Sequence, residues 1–153
     1  MDKVKRTPAK LSELVKEFDM EILNKAPDYE SQTVTISDVN RPALQLVGFY
    51  EYFEPVRLQI LGKAEIVFLQ TMEPEKRRHV LEDLLRCEIP ALIISRNMGV
   101  FPELIELAQK YGRTLLRTER KTVDATSEMI DYLNKKLAPQ ITRHGVLMNI
   151  NGQ

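Results

Sequence analysis

The chain has 153 residues and carries 22 Lys and Arg against 22 Asp and Glu, so its formal net charge is zero and gives no global attraction to nucleic acid or anionic lipid. It contains one cysteine, lacks an apolar run near the ~18 residues of a membrane span, and opens on MDKVKRTPAK, which has no apolar signal-peptide segment. These features predict a cytoplasmic protein with no nucleic-acid partner and no membrane partner.

The first part of the chain predicts one helix and two short strands. Four apolar residues of LSELVKEF share one helical face: Leu11, Leu14, Val15 and Phe18. MEIL and VTI (residues 34–36) favour strands, the second because it is rich in β-branched residues. In SDVNRP, Asp38 and Asn40 are suited to cap the free amides of a helix start, and Pro42 suits its first turn.

From residue 57 onward, strands and helices alternate. The predicted strands are RLQIL (57–61), ALII (91–94) and TLLR (114–117). Helices are predicted in AEIVFLQ after Gly62, in EPEKRRHVLEDLLRC from Pro74, between Pro102 and Gly112, and from Asp124 to Lys136. A last strand is predicted in HGVLMNINGQ, before a turn at Gly152, from the apolar run of Val146, Leu147, Met148 and Ile150.

This alternation defines the predicted fold class. ALII is continuously apolar, as is typical of a parallel strand covered on both faces, and its short connections to the next helix and strand indicate a strand–helix–strand unit. We therefore predict a three-layer, Rossmann-like α/β domain with a mostly parallel sheet and helices on both faces.

The residue patterns of common catalytic sites are not found in the sequence. Gly62 and Lys63 are followed by alanine rather than Ser or Thr, so they do not form a phosphate-binding loop, and no dinucleotide-binding glycine triplet occurs. Cys87, His79 and His144 are too widely separated to suggest a zinc site. We interpret Cys87 as a small buried hydrophobe and His79 as a solvated residue in a charged run.

Two features allow both a functional and a structural interpretation. YEYFEP (50–55) concentrates aromatic rings and carboxylates, which suits a partner or sugar-stacking surface but also a helix end that packs its rings on the sheet. Ser37, Asn40 and Arg41 lie near a predicted helix start, where backbone amides favour a small anion, although capping without a ligand explains the same residues.

Several blocks of the sequence together resemble one known family. They are SDVNRPALQLVGFYEYF, RLQILGKAEIVFL, IPALIISR, PELIELAQKYGRTLLRT, YLNKKLAP and HGVLMNINGQ, and their order and spacing are similar to the N-terminal domain of the bacterial HPr kinase/phosphorylase family. The resemblance covers nearly the whole chain. It implies an N-terminal α/β domain similar in fold to the substrate domain of Mur ligases, followed by a catalytic kinase domain with a phosphate-binding loop.

The resemblance also implies a function for the intact family member. That enzyme uses ATP or pyrophosphate, with magnesium, to phosphorylate a regulatory serine of HPr, and uses inorganic phosphate to remove the phosphate, in carbon catabolite repression. It assembles as a homohexamer. By this resemblance the chain is a regulatory and assembly domain whose partners are its own C-terminal kinase domain and, through that domain, HPr.

The ending HGVLMNINGQ sets the expected domain boundary. In the family this strand leads into the phosphate-binding loop, so we expect residues 1–138 to form the N-terminal α/β domain and residues 139–153 to form a linker and the first strand of an absent catalytic domain. His144 matches a family active-site histidine, while Asn151 stands where the family often has tyrosine. The chain by itself is expected to hold no cofactor and to be inactive. The alternative is a stand-alone module that binds a small anion or sugar nucleotide at Ser37, Asn40 and Arg41.

Overall fold

A computed structural model gives the fold, and it describes the backbone at residues 2–5 and 7–143 and the side chains at residues 7–139. The strands are β1 (Asp2–Lys5), β2 (Ala9–Lys10), β3 (Glu21–Asn24), β4 (Thr33–Val34), β5 (Val39–Asn40), β6 (Leu58–Leu61), β7 (Leu92–Ile94), β8 (Leu115–Arg117) and β9 (Gln140–Arg143). The helices are α1 (Leu11–Glu17), α2 (Ala43–Leu46), α3 (Lys63–Gln70), α4 (Pro74–Arg86), α5 (Pro102–Tyr111) and α6 (Thr122–Leu137).

A five-stranded sheet in the order β3-β8-β7-β6-β5 forms the centre of the molecule. The strands β5 to β8 run parallel to one another in sequence order, and β3 joins the β8 edge antiparallel. Consecutive parallel strands need crossover helices, which are α2, then α3 with α4, and then α5. The sheet is therefore mostly parallel, as the sequence predicts.

Helices cover both faces of this sheet. In β7, Leu92 and Ile94 pack on one face with the buried side chains of α2 to α5, whereas Ile93 packs on the opposite face with those of α1 and α6. Successive residues of a strand point to opposite faces, so a strand that is covered on both sides favours apolar residues at every position, as in β7. The predicted three-layer α/β fold class is confirmed.

The segment from residue 33 to residue 46 differs from the prediction. The predicted strand at residues 34–36 is replaced by β4, which pairs with β2 in a separate two-stranded sheet. The fifth strand of the main sheet is instead β5, and Asn40 lies within it rather than at a helix N-cap. Helix α2 starts only at Ala43, with Pro42 at its N-cap position and no side-chain cap. The sequence pattern does not predict β5, because this strand has just two residues, both partly exposed, and therefore carries no apolar run.

A second two-stranded sheet joins the two ends of the described chain. β1 pairs antiparallel with β9, which places Asp2 opposite Arg143 and Lys5 opposite Gln140. The sequence does not predict this pairing, because the opening segment is mostly polar and carries no apolar run. The predicted strand from Val146 to Ile150, the turn at Gly152 and His144 lie outside the described residues.

Candidate functional site

The loops at the carboxyl edge of the parallel strands meet in one polar region. Arg41 follows β5, Gly62 follows β6, Ser95 follows β7 and Thr118 follows β8. In open parallel α/β sheets, ligands bind beyond the carboxyl ends of the strands, because connecting loops and helix starts converge there. This edge is therefore the candidate functional site of the fold.

Gly62 lies at the centre of this edge and is held by Glu65, which is itself only 6% exposed. The Gly62 N–H donates a hydrogen bond of 2.6 Å to Glu65 Oε1, and the Arg41 guanidinium donates to the same oxygen from Nη2 at 2.9 Å and from Nε at 3.2 Å. A Cβ at position 62 would lie 2.5 Å from Arg41 Nη2 and 2.7 Å from Thr122 Oγ1. Only glycine permits this approach of the two side chains, and the buried carboxylate compensates the charge of Arg41.

Ser95 and Thr122 connect the end of β7 to the start of α6. Their hydroxyl oxygens are 2.6 Å apart, and both residues are buried. Ser95 Oγ donates to the carbonyl oxygen of Leu61 at 3.1 Å. Since that bond uses the only hydrogen of the serine hydroxyl, Thr122 donates to Ser95. The buried hydroxyls are thereby satisfied within the fold and hold the α6 N-terminus against the sheet.

A cavity of about 580 Å³ opens beside this hydrogen-bonded group. Its walls are Arg41 and one side of α6, whose lining residues are Thr122, Val123, Thr126, Ser127, Ile130 and Asp131. The walls offer one guanidinium, one carboxylate and several hydroxyls beside two aliphatic side chains. Among these lining residues no side chain belongs to a nucleophile–base pair, so the cavity shows no arrangement for covalent catalysis.

The three residues predicted to hold an anion do not converge on a helix start. The Asn40 amide donates to Gln59 Oε1 at 2.7 Å and to Gln45 Oε1 at 3.2 Å, so it cross-links β5, β6 and α2. Arg41 turns to Glu65 and to the α6 cavity, and Ser37 lies in the loop before β5. Sequence reasoning missed Glu65, although a Glu three residues after the N-cap has the spacing of a capping box, of which glycine at position 62 allows only the bond from the N-cap amide to the Glu side chain.

The remaining candidates from the sequence, Cys87, His79 and the segment YEYFEP, do not take part in the carboxyl-edge site. Cys87 is half-buried at the end of α4, where burial raises the pKa of its thiol and disfavours the reactive thiolate. His79 is exposed, as predicted. YEYFEP forms a turn rather than a helix end, with Tyr52 90% exposed and the rings of Tyr50 and Phe53 packed edge to face at 5.5 Å.

Two absences hold for the described part of the chain. No group of three or more His, Cys, Asp or Glu side chains lies close enough there to hold a metal ion. No helix among the described residues combines the length and the apolar character that a membrane crossing requires. His144, the predicted catalytic residue, is outside the described residues.

The chain is a three-layer α/β domain whose parallel strands end at a polar carboxyl edge. Among the described residues, this edge contains no set of side chains arranged for catalysis. A sequence model of the family described as "HPr Serine kinase N terminus" matches residues 9–133. The chain therefore belongs to this family, that of the N-terminal domains of HPr kinase/phosphorylases.

Relatives with curated names agree with this family membership. The chain is 41% identical over 143 residues to the HPr kinase/phosphorylase of Caldicellulosiruptor bescii, a match that covers 94% of this chain and 46% of the relative. It is 42% identical over 139 residues to that of Clostridium tetani, with 91% and 45% covered. The chain thus spans about half the length of the curated relatives it matches, and corresponds to their N-terminal part.

A solved structure shares the fold at low sequence identity. It is the crystal structure of the CBS and DRTGG domains from the regulatory region of a Clostridium perfringens pyrophosphatase, complexed with its activator diadenosine tetraphosphate. The TM-score is 0.62 at 17% identity, with 91% of this chain and 53% of the other covered. This similarity supports the α/β fold alone.

Proposed function

We propose that this chain is the regulatory and assembly domain of an HPr kinase/phosphorylase. The intact enzyme would use ATP or pyrophosphate, with magnesium, to phosphorylate a regulatory serine of HPr, and inorganic phosphate to remove it, in carbon catabolite repression in the cytoplasm. Its partners would be its own C-terminal kinase domain, HPr through that domain, and further subunits of a homohexamer. The observation that carries the proposal is the ~40% identity along the N-terminal half of curated HPr kinase/phosphorylases.

The chain alone is proposed to be inactive. Phosphoryl transfer depends on backbone amides, a Lys and a metal that position and neutralise the phosphates. The Gly62–Lys63 pair instead forms a helix start in which the Gly62 amide is bonded to Glu65, and Lys63 is exposed. Within the described residues, the turn between β6 and α3 therefore supports a structural role rather than phosphate binding.

The proposed boundary separates residues 1–138 from a linker and first catalytic strand at residues 139–153. Its support is the end of α6 at Leu137, with Ala138 at the C-cap. The segment that follows forms β9 and pairs with β1, so the proposed linker is in contact with the first residues of the domain. His144 follows this strand directly and is proposed to act in the active site of the longer protein.

The test compares this chain with a version extended through the downstream kinase half. The extended protein should phosphorylate HPr with ATP or pyrophosphate and release the phosphate with inorganic phosphate, whereas the 153-residue chain should do neither. Phosphorylation of HPr by the chain alone would refute its inactivity. An extended protein that is folded but inactive on HPr would refute the proposed function.

The role of His144 has its own test in the extended protein. His144→Ala should lower both the forward and the reverse rates by about 100-fold, the scale of a lost proton-handling group, with an unchanged Tm. The matched control is His79→Ala, which removes the other histidine of the chain from an exposed position and should leave both rates unchanged. Normal rates in His144→Ala would show that the histidine is not catalytic.

A further inference from the structure

The α6 cavity, which is formed by Arg41 and one side of α6, is long in one direction. Its lining positions on the helix are 122, 123, 126, 127, 130 and 131, which form two rows with a spacing of four residues. Residues four apart lie on the same face of a helix, so the lining extends from Thr122 to Asp131, or about 13 Å along the axis. The volume of about 580 Å³ lies in the range of small-molecule sites.

Arg41 provides a positive charge at one end of the cavity. Its Nε and Nη2 atoms donate to Glu65 Oε1 at 3.2 and 2.9 Å, and no partner of Nη1 is found among the described residues. A Cβ at Gly62 would lie 2.5 Å from Arg41 Nη2 and 2.7 Å from Thr122 Oγ1, so the guanidinium lies beside the start of α6. The Arg41 side chain is 41% exposed. A guanidinium that is held in place and keeps free donors is suited to bind a carboxylate.

Asp131 provides a negative charge at the other end. Its ion pair with Lys135 has a length of 3.8 Å, and the two side chains are 75% and 80% exposed. Exposed pairs of this kind contribute little free energy, because water competes for both charges. The Asp131 carboxylate is therefore accessible to the cation of a ligand.

The wall between these two charges is aliphatic, with hydroxyl groups beside it. Val123 is 72% exposed and Ile130 is half-buried, so both would lose apolar surface to water-free contact under a ligand. Thr126 Oγ1 is buried, and the described residues offer it no hydrogen-bond partner. Such an unsatisfied atom is uncommon in a folded protein, and a donor on a ligand could complete it after a rotation of the threonine side chain.

The charges of the cavity indicate a ligand that carries both signs. Arg41 is matched by the buried Glu65, and Asp131 adds a further negative charge, so the walls have no net positive charge. A phosphate or a simple carboxylate could use Arg41 but would leave Asp131 without a partner. A ligand that satisfies both ends needs a carboxylate and a cation that are well separated.

We propose that the α6 cavity binds a basic amino acid, lysine or arginine, either free or as the C-terminal residue of a peptide. The ligand carboxylate accepts hydrogen bonds from Arg41, its aliphatic stem covers Val123 and Ile130, and its terminal cation donates to Asp131. The carboxylate and ammonium of an extended lysine are roughly 7 Å apart, and a hydrogen bond of about 2.8 Å at each end extends this reach to about 12 Å. The reach matches the length of the cavity, whereas the two charges of a neutral amino acid are too close together to contact both ends. The inference goes beyond the proposed function and does not depend on it.

The test is a titration of the 153-residue chain with L-lysine, followed by amide resonances and by calorimetry. Saturable shifts are expected in residues 122–131. Two matched ligands remove one charge each: L-norleucine lacks the terminal cation, and L-lysinamide has a neutral amide in place of the carboxylate. Each should bind about fivefold more weakly than L-lysine or worse, the scale of one lost ion pair.

A variant of the protein tests the contact with the terminal cation. Asp131→Asn should weaken the binding of L-lysine by about fivefold and leave that of L-norleucine unchanged, because norleucine has no cation to lose. Glu30→Gln is the matched control: it removes a carboxylate that is 78% exposed and also pairs with a lysine at 3.8 Å, but does not line the cavity. The ligand series tests Arg41 instead of a substitution, since loss of the arginine would leave Glu65 buried without its partner.

The outcomes decide the proposal and the source of the ligand. Nα-acetyl-L-lysine resembles a C-terminal lysine; binding as tight as that of L-lysine supports the end of a peptide as the ligand, and weaker binding supports the free amino acid. The proposal is overturned if L-lysine gives no saturable shifts, if L-norleucine or L-lysinamide binds equally well, or if Asp131→Asn binds L-lysine as the parent does. Unchanged circular dichroism and Tm verify that both variants are folded.

Discussion

Arg77 and Glu103 form a 2.9 Å ion pair in which the side chains are only 13% and 12% exposed, which ties α4 to α5. The same guanidinium donates to the carbonyl oxygens of Leu69 and Met72 and lies 4.3 Å from the ring centroid of Phe101. Arg77 thereby satisfies carbonyl groups at the end of α3 while it neutralises a carboxylate of α5. One side chain joins three helices of the same layer.

Loss of Arg77 is expected to destabilise the fold strongly. Arg77→Ala leaves the Glu103 side chain, which is only 12% exposed, without its ion-pair partner, and this costs up to about 3–5 kcal/mol of unfolding free energy. Arg78→Ala is the matched control, because the Arg78–Glu106 pair has nearly the same length but its side chains are 43% and 60% exposed, so its loss should destabilise the fold much less. Urea unfolding of both variants measures the difference. Equal losses of unfolding free energy in the two variants would show that burial does not determine how much the Arg77–Glu103 pair stabilises the fold.

The carboxyl group of Glu82 makes the stability of the fold depend on pH in the acidic range. Hydrogen bonds from Tyr111, at 2.6 Å, and from Lys110, at 3.0 Å, lower the pKa of its carboxyl group to about 2 from the usual 4.5. The carboxylate binds a proton less readily in the folded state than in the unfolded state. Its contribution to the free energy of unfolding is therefore complete above pH 4.5 and is lost as the pH falls toward 2. Glu82→Gln should therefore lower Tm most above pH 4.5, and the gap from the parent should narrow in acid. A gap that stays constant between pH 6 and about pH 2.5 would contradict this linkage.

Tyr50 carries a buried hydroxyl for which the described residues offer no hydrogen-bond partner. Burial, with smaller contributions from Cys87 and Asp83, raises the pKa of this phenol above its ordinary value. Tyr50→Phe removes the unsatisfied group and should leave the free energy of unfolding unchanged or raise it by up to ~1 kcal/mol. Tyr111→Phe, which deletes the bond to Glu82, should instead lower it by about 1 kcal/mol. Opposite signs in denaturant unfolding would support both assignments, and a loss in Tyr50→Phe would reveal a partner for its hydroxyl.

Gly62 is expected to tolerate no side chain. The Cβ of Gly62→Ala would overlap Arg41 Nη2 and Thr122 Oγ1; the arginine can swing away, but the threonine is held by Ser95. We expect a loss of about 1–3 kcal/mol, the range for overpacking at a closely packed position. Gly99→Ala is the control, because nothing lies within 4 Å of the added Cβ. Chemical unfolding of the two variants measures the effect, and a neutral Gly62→Ala would mean that the Arg41 and Thr122 side chains are not fixed as described.

Phosphate should not bind at the segment that contains Ser37, Asn40 and Arg41. The Arg41 guanidinium is already compensated by Glu65, and the four-residue helix α2 offers few free amides. A titration followed by amide resonances of residues 37–44 is expected to show no saturable shift with phosphate or a sugar nucleotide. Saturable shifts that disappear in Arg41→Ala would establish the small-anion module instead.

The sequence predicted the elements whose apolar residues have a strong period. The apolar run ALII predicted the central strand, because both faces of β7 are covered. Gly112 predicted the end of α5, because its φ of 67° lies in the left-handed region that glycine adopts readily. The start of β5 could not be predicted in the same way, since Val39 and Asn40 are both only partly buried. Asn40 resembled a capping residue in sequence, and its actual cross-link to Gln59 depends on a strand pairing that no local pattern encodes.

The candidate site was less predictable than the fold. Its contacts join residues far apart in sequence, as in Ser95 with Thr122 and Arg41 with Glu65. Each of these side chains is unremarkable in its own segment, and their convergence follows from the order of the parallel strands. Only the glycine–glutamate spacing at Gly62 and Glu65 is local enough to be recognised without the structure.

The pairing of β1 with β9 determines how the domain would respond to mechanical load. Asp2 and Arg143 form the outermost pair of this antiparallel ladder, and Lys5 and Gln140 form the innermost. A force that separates Asp2 from Arg143 would open the ladder one pair at a time, as a zipper opens, before any tension reached the central sheet. Unzipping breaks hydrogen bonds in succession, whereas shearing a ladder loads them together, so we expect this small sheet to open at low force before the central sheet is loaded.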